Sequence, residues 1–150
     1  MSRSRWWPWQ VCVFLLFATA LSYLDRQALS IAAPVIRTEL RLDNAQLGLL
    51  LSAFFYSYSL MHLVVGWLLD RFNMRITYAL FVVFWSIAQA SAGLVRGFES
   101  LFAARLFLGG FEAAAQPGAA RIIAAILPGK DRSMANGLMM SGGSLGAIIA

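Results

Sequence analysis

The sequence predicts an all-α membrane protein with five helical spans, and three observations carry that expectation. First, 60% of its 150 residues are hydrophobic and 13% are charged, with a mean hydropathy of +0.70. A soluble domain is about half apolar and a quarter charged, and a disordered chain needs low hydrophobicity with many charges, so both classes are excluded. Second, the charges leave long gaps: Asn44 to Leu69 runs 26 residues without one, Ile76 to Val95 runs 20, and Ser133 to Ala150 runs 18. A hydrocarbon core of about 30 Å asks for about 20 mostly apolar residues at 1.5 Å each. Third, the basic residues gather in alternate loops.

The spans are expected over 10–35, 46–69, 76–95, 101–127 and 134–150. Helix 1 draws on Val11 to Ile36, broken only by Asp25 and Arg26, and helix 4 on Leu101 to Leu127, broken by Arg105, Glu112 and Arg121. Helix 5 reaches Ala150 without a stop signal, which makes the chain read as truncated. Arg3, Arg5, the run Val11 to Phe17 and Ala18-Thr19-Ala20 imitate a signal peptide. The apolar run continues past them and further spans follow, so Trp6, Trp7 and Trp9 are read instead as an interfacial belt opening helix 1.

Five spans put the N-terminus, the Asp70–Arg75 loop and the Pro128–Arg132 loop on one side. That side holds Arg3, Arg5, Arg71, Arg75, Lys130 and Arg132 against Asp70 and Asp131. On the other, Arg37, Arg41 and Arg96 are balanced by Glu39, Asp43 and Glu99. The basic side is the cytoplasmic one, with the N-terminus there. The net charge of +5 is therefore topology rather than a nucleic-acid footprint. The single Cys12 and single His62 leave no disulfide framework and no metal-ligand spacing.

Helix punctuation agrees with a bundle. Loops of about five to eight residues force neighbouring helices to run antiparallel. Pro34 and Pro128 are expected to terminate helices 1 and 4, and Pro117 to kink helix 4, which Gly109-Gly110 thins beside it. Gly142, Gly143 and Gly146 give helix 5 a small-residue face for close packing on a neighbour.

Charges inside the apolar runs carry the functional expectation. A charge at mid-bilayer costs about 3 kcal/mol on insertion scales and faces a partner or a watery cavity. Asp25 lies ten residues before Val35, or about 15 Å from the outer end of helix 1. Glu112 lies eleven residues after Leu101, or about 16 Å from the outer end of helix 4. Arg26 adjoins Asp25, and Arg105 precedes Glu112 by seven residues, two turns along one face. Such carboxylates and guanidiniums at one depth suit an anion and a proton. A guanidinium forks onto a carboxylate, while a carboxyl withdrawn from water binds its proton more tightly. The bland alternative is salt bridges between helices 1 and 4, although buried pairs are poor stability devices. His62 could relay protons or simply pack, and Tyr56 and Tyr58 read as packing residues.

Gly66-Trp67-Leu68-Leu69-Asp70-Arg71-Phe72-Asn73-Met74-Arg75 resembles the signature loop of the major facilitator superfamily, with Asn73 in place of the usual second glycine and Ile76 where a second basic residue is common. Asn tolerates the positive φ expected of a glycine there. Tyr23-Leu24-Asp25-Arg26 with Ser30 to Pro34 is similar to helix 1 of the anion:cation symporter branch. Arg105, Gly109, Glu112-Ala113-Ala114 and Pro117 resemble its helix 4, and Asp131-Arg132-Ser133 with Ala135 and Gly137 its entry to helix 5.

The resemblance implies the N-terminal part of a twelve-helix, two-lobed transporter: helices 1–4 and the start of helix 5, lacking the C-terminal lobe. It implies a multi-pass protein of the plasma membrane, in bacteria the inner membrane. The activity implied is symport of an organic anion such as a sugar acid (a hexuronate or aldonate) by alternating access, driven by protons or another cation, with no cofactor. Arg26 would bind the substrate carboxylate with Tyr23 beside it. Asp25 and Glu112 would exchange protons, Arg105 would modulate Glu112, and Gly66, Asp70, Arg71, Arg75 and Arg132 would form the cytoplasmic gate. An exporter of drugs or metabolites would keep the fold, but the Gly-Pro hallmark of antiporters is absent from 133–150. A non-transport membrane subunit is the outsider. No nucleophile–base pair or metal cluster points to an enzyme.

Overall fold

The computed structural model describes residues 6–150, so Arg3 and Arg5 lie outside the described residues. Its helices are α1 Trp7–Glu39, α2 Asn44–Arg71, α3 Met74–Ala92, α4 Phe98–Glu112, α5 Ala115–Ile126 and α6 Gly129–Ile149. Helices α1, α2 and α3 are each long and apolar enough to cross a membrane. Phe14, Leu63 and Ile148 stand 74%, 82% and 81% exposed. Large apolar side chains in such positions need lipid or further protein, rather than water, around them.

Most helices outrun the charge-free runs, whereas α3 stops at Ala92, three residues short of the span expected to Val95. The linkers shrink to 40–43, 72–73, 93–97 and 127–128, shorter than the expected loops in most cases. Asp70, Arg71, Arg75 and Arg132 consequently sit in terminal helical turns rather than in loops. Pro34 does not end α1, which continues five residues to Glu39. Past it, Thr38 Oγ1 donates to the Val35 carbonyl at 2.8 Å, a local bond that keeps the last turn closed.

The span expected over 101–127 is two helices, interrupted at Ala113-Ala114. Pro117 explains the position of the break. Its ring excludes the carbonyl four residues back, which belongs to Ala113. As the third residue of α5, Pro117 needs no intrahelical acceptor. Ala113 keeps right-handed dihedrals (φ −56°, ψ −22°), so the ladder is interrupted without reversing the chain.

Caps fix the other ends. Asp43 accepts from Gln46 N at 2.7 Å, while Gln46 Oε1 accepts from Asp43 N at 3.0 Å, a reciprocal capping box at the start of α2. Asp43→Ala is expected to cost about 1 kcal/mol, read as a lower unfolding midpoint in detergent. An unchanged midpoint would mean that water replaces the cap. Asn73 is an N-cap with φ −62°, and its side chain accepts from Arg75 N at 3.1 Å. The positive φ expected there is not used: the residue is kept for its carboxamide oxygen. Pro128 does separate two helices, standing as the N-cap of α6.

The chain divides into two compact units, 28–114 and the remainder. In the first, α2 and α4 run parallel. Leu50 clusters with Leu101 near one end, and Val65 and Leu69 with Ala113 and Ala114 near the other. Between them, a Cβ on Gly109 would collide with the Phe54 carbonyl oxygen and Ser57 Oγ. The neighbouring α3 is antiparallel to α4, with Ala92 packed on the same leucine cluster as Phe98 and Phe102 and with Phe81 and Phe84 ringed around Phe111. In the second unit, α6 runs parallel to the 7–27 stretch of α1. A Cβ on Gly142 would meet the Leu16 carbonyl oxygen, and one on Gly146 that of Ala20. Both units thus join parallel helices by glycine against carbonyl. Lipid supplies no hydrophobic drive between helices, so close backbone approach supplies the dispersion contacts.

Candidate functional site

Residues 101, 104, 105, 108, 109 and 112 form the buried stripe of α4, with helical spacing throughout. Two of the six are charged. Arg105 is 4% exposed and Glu112 is fully buried, the largest departure from an apolar interior among the described residues. Burying an ion is costly unless it is compensated, and both side chains have interaction partners within the protein. Arg105 lies between the two apolar clusters of its unit, and Glu112 adjoins the cluster of Ala113 and Ala114. The helix break follows immediately, the last ladder bond being that from Ala113 N to the Gly109 carbonyl at 3.2 Å.

The α1 candidates belong to the other unit. Tyr23 and Arg26 are one turn apart, and the guanidinium carbon of Arg26 lies 5.1 Å from the centroid of the Tyr23 ring. That is cation–π distance. A guanidinium keeps its charge at any pH and can fork two donors onto a carboxylate. Tyr23, Asp25 and Arg26 are all half-buried, and both charged residues have interaction partners.

The signature residues lie at the α2–α3 corner. Asp70, Arg71 and Arg75 are exposed, and Asp70 has an interaction partner. Arg71, in the last turn of α2, also meets the negative end of the helix dipole. A Cβ on Gly66 would find open space, so no close approach requires that glycine. Arg132 has a local partner: its Nε donates to the Leu127 carbonyl at 3.0 Å, closing the end of α5. Sequence reading missed this role, because the basic excess of the loop already explained the arginine. His62 is exposed and stacked on Tyr58 at 5.2 Å, and Tyr58 on Phe54 at 5.4 Å, an aromatic column along one face of α2.

Residues 15–150 match the family model described as Major Facilitator Superfamily. The probable galactarate/D-glucarate transporter GarP of Escherichia coli (strain K12) is 36% identical over 137 residues, covering 87% of this chain and 31% of that protein. The hexuronate transporter of the same strain is 32% identical over 150 residues, covering 100% and 35%. The crystal structure of a bacterial homolog to the human lysosomal transporter Spinster, inward-facing and occupied, superposes with a TM-score of 0.90 at 30% identity, covering 98% of this chain and 32% of that one. The chain thus spans about a third of the length of these proteins. With this sequence match and this all-α, multi-span fold, the chain belongs to the Major Facilitator Superfamily and is related to its sugar-acid transporters.

Proposed function

We propose that the protein carrying this chain is a secondary active transporter that takes up an organic anion, a sugar acid such as a hexuronate or aldonate, together with a proton. It performs no covalent chemistry. Arg26, on its Tyr23 platform, binds the substrate carboxylate. Asp25 and Glu112 load and release the proton, with Arg105 adjusting Glu112. Gly66, Asp70, Arg71, Arg75 and Arg132 belong to the cytoplasmic gate, the N-terminus lies in the cytoplasm, and the protein resides in the plasma membrane. A second lobe completes the cavity, and alternating access is the rocking of one lobe against the other.

The observation that carries this reading is the half-buried Arg26 guanidinium, its central carbon over the Tyr23 ring, within an apolar helix. A permanent cation placed there has an anion as its natural guest. The named substrates of GarP and the hexuronate transporter, galactarate, D-glucarate and hexuronate, are all carboxylates. The test is Arg26→Ala in the whole protein, with uptake of D-glucarate and D-glucuronate measured in vesicles under an inward proton gradient. The KM is expected to rise about thirtyfold or more, the cost of losing one partner of a desolvated charge pair. Unchanged uptake would overturn the reading in favour of an exporter of neutral or cationic compounds, which has no use for this arginine.

A further inference from the structure

The glycines through which α6 meets α1 have different neighbours. At Gly142 and Gly146 an added Cβ would strike backbone, the carbonyl oxygens of Leu16 and Ala20. At Gly143 the three nearest atoms all belong to one side chain. An ideal Cβ would lie 2.8 Å from Tyr23 Cε2, 2.9 Å from Cζ and 3.1 Å from Cδ2. Real Cβ atoms essentially never approach other atoms within 3.0 Å, so a side chain at 143 displaces the ring. Gly143 is itself buried, and the Tyr23 ring it touches is the one that carries Arg26 at 5.1 Å. Glycine is a poor helix former. Its presence inside α6 at this point matches a need for room.

We infer that Gly143 is a positioning residue for the anion site. The missing side chain lets the Tyr23 ring lie against the α6 backbone, and the seated ring holds the Arg26 guanidinium for the incoming carboxylate. A tyrosine has only two torsions, so a ring pushed from this seat turns as a rigid body and takes the cation–π platform with it. The inference rests on Arg26 as the anion-binding residue. It adds that the affinity of that arginine is set from α6.

The test uses the whole protein in vesicles, with D-glucarate and D-glucuronate as probes and Gly143→Ala, Tyr23→Ala, the double variant and Arg26→Ala side by side. Gly143→Ala is expected to raise KM about fivefold while the maximal rate stays within about twofold. The double variant is expected to match Tyr23→Ala alone, since without the ring the added methyl meets nothing that matters to the anion. A purely structural glycine would instead cost the same in both backgrounds. If Gly143→Ala fails to fold, the double variant must restore folding, and failure to do so overturns the inference. If Arg26→Ala loses affinity and Gly143→Ala does not, the inference falls and the anion site stands. If Arg26→Ala changes nothing, or the parent takes up neither probe, the sugar-acid reading falls and this inference with it.

Discussion

Glu112→Gln is expected to abolish accumulation of the anion against its gradient while leaving downhill exchange. The carboxyl is fully buried on the inward stripe of α4. Glutamine keeps its shape and much of its hydrogen bonding, but it can neither take up nor release a proton. In a symporter, proton and anion binding favour one another by the same factor, because linkage is reciprocal. A substrate carboxylate that engages Arg26 weakens the hold of that guanidinium on Asp25, its neighbour in α1, and so favours protonation of Asp25. With the proton site neutralised permanently, the empty carrier can reorient without a proton, and the gradient no longer drives uptake. The check is uptake under an imposed proton gradient beside counterflow exchange in the same vesicles. Accumulation equal to that of the parent would make Glu112 a structural partner on α4 and shift the coupling to Asp25 or to the second lobe.

Gly109→Ala is expected to be the most damaging single methyl in the 28–114 unit. Its Cβ would collide with the Phe54 carbonyl oxygen and with Ser57 Oγ. Ser57 is tied to α2 by donating to the Phe54 carbonyl at 3.1 Å, and the carbonyl cannot move without the helix. The methyl must therefore push α4 from α2, at a cost of about 3 kcal/mol, the upper end for overpacking. The next residue is the internal control. A Cβ on Gly110 meets nothing within 4 Å, so Gly110→Ala is expected to stabilise the helix by about 0.5–1 kcal/mol through propensity alone. Unfolding midpoints in detergent for the two variants, adjacent and chemically identical, should move in opposite directions. Equal shifts would show that the parallel α2–α4 contact is looser than described.

The glycine pair shows where sequence reading stops. Gly109-Gly110 and the Gly142, Gly143, Gly146 face are recognisable as small-residue surfaces from composition alone. Which glycine meets a carbonyl, which meets a tyrosine ring and which meets open space depends on residues about 50 to 125 positions away along the chain. No local pattern encodes that partner. The same holds for Arg132, whose charge is visible in the sequence while its bond to the Leu127 carbonyl depends on the turn between α5 and α6. Pro117 was legible as a disturbance. Its effect is a break at Ala113-Ala114, because the excluded carbonyl lies one turn upstream of the ring.

The sequence by itself determined that the chain is a set of apolar helices. Runs that long with so few charges can satisfy their backbone polar groups in lipid only by bonding internally. It also determined which residues break that rule, since Asp25, Arg26, Arg105 and Glu112 stand in apolar runs whatever the packing. The tertiary structure decided where the helices end: Asn73 caps α3, which starts two residues before its charge-free run begins and stops at Ala92, three residues before that run ends. It also decided that Glu112 and Arg105 are buried and that Arg26 rests on Tyr23. Periodicity places a residue on a face of its helix. Only the neighbour packed there decides whether that face meets lipid, water or another backbone.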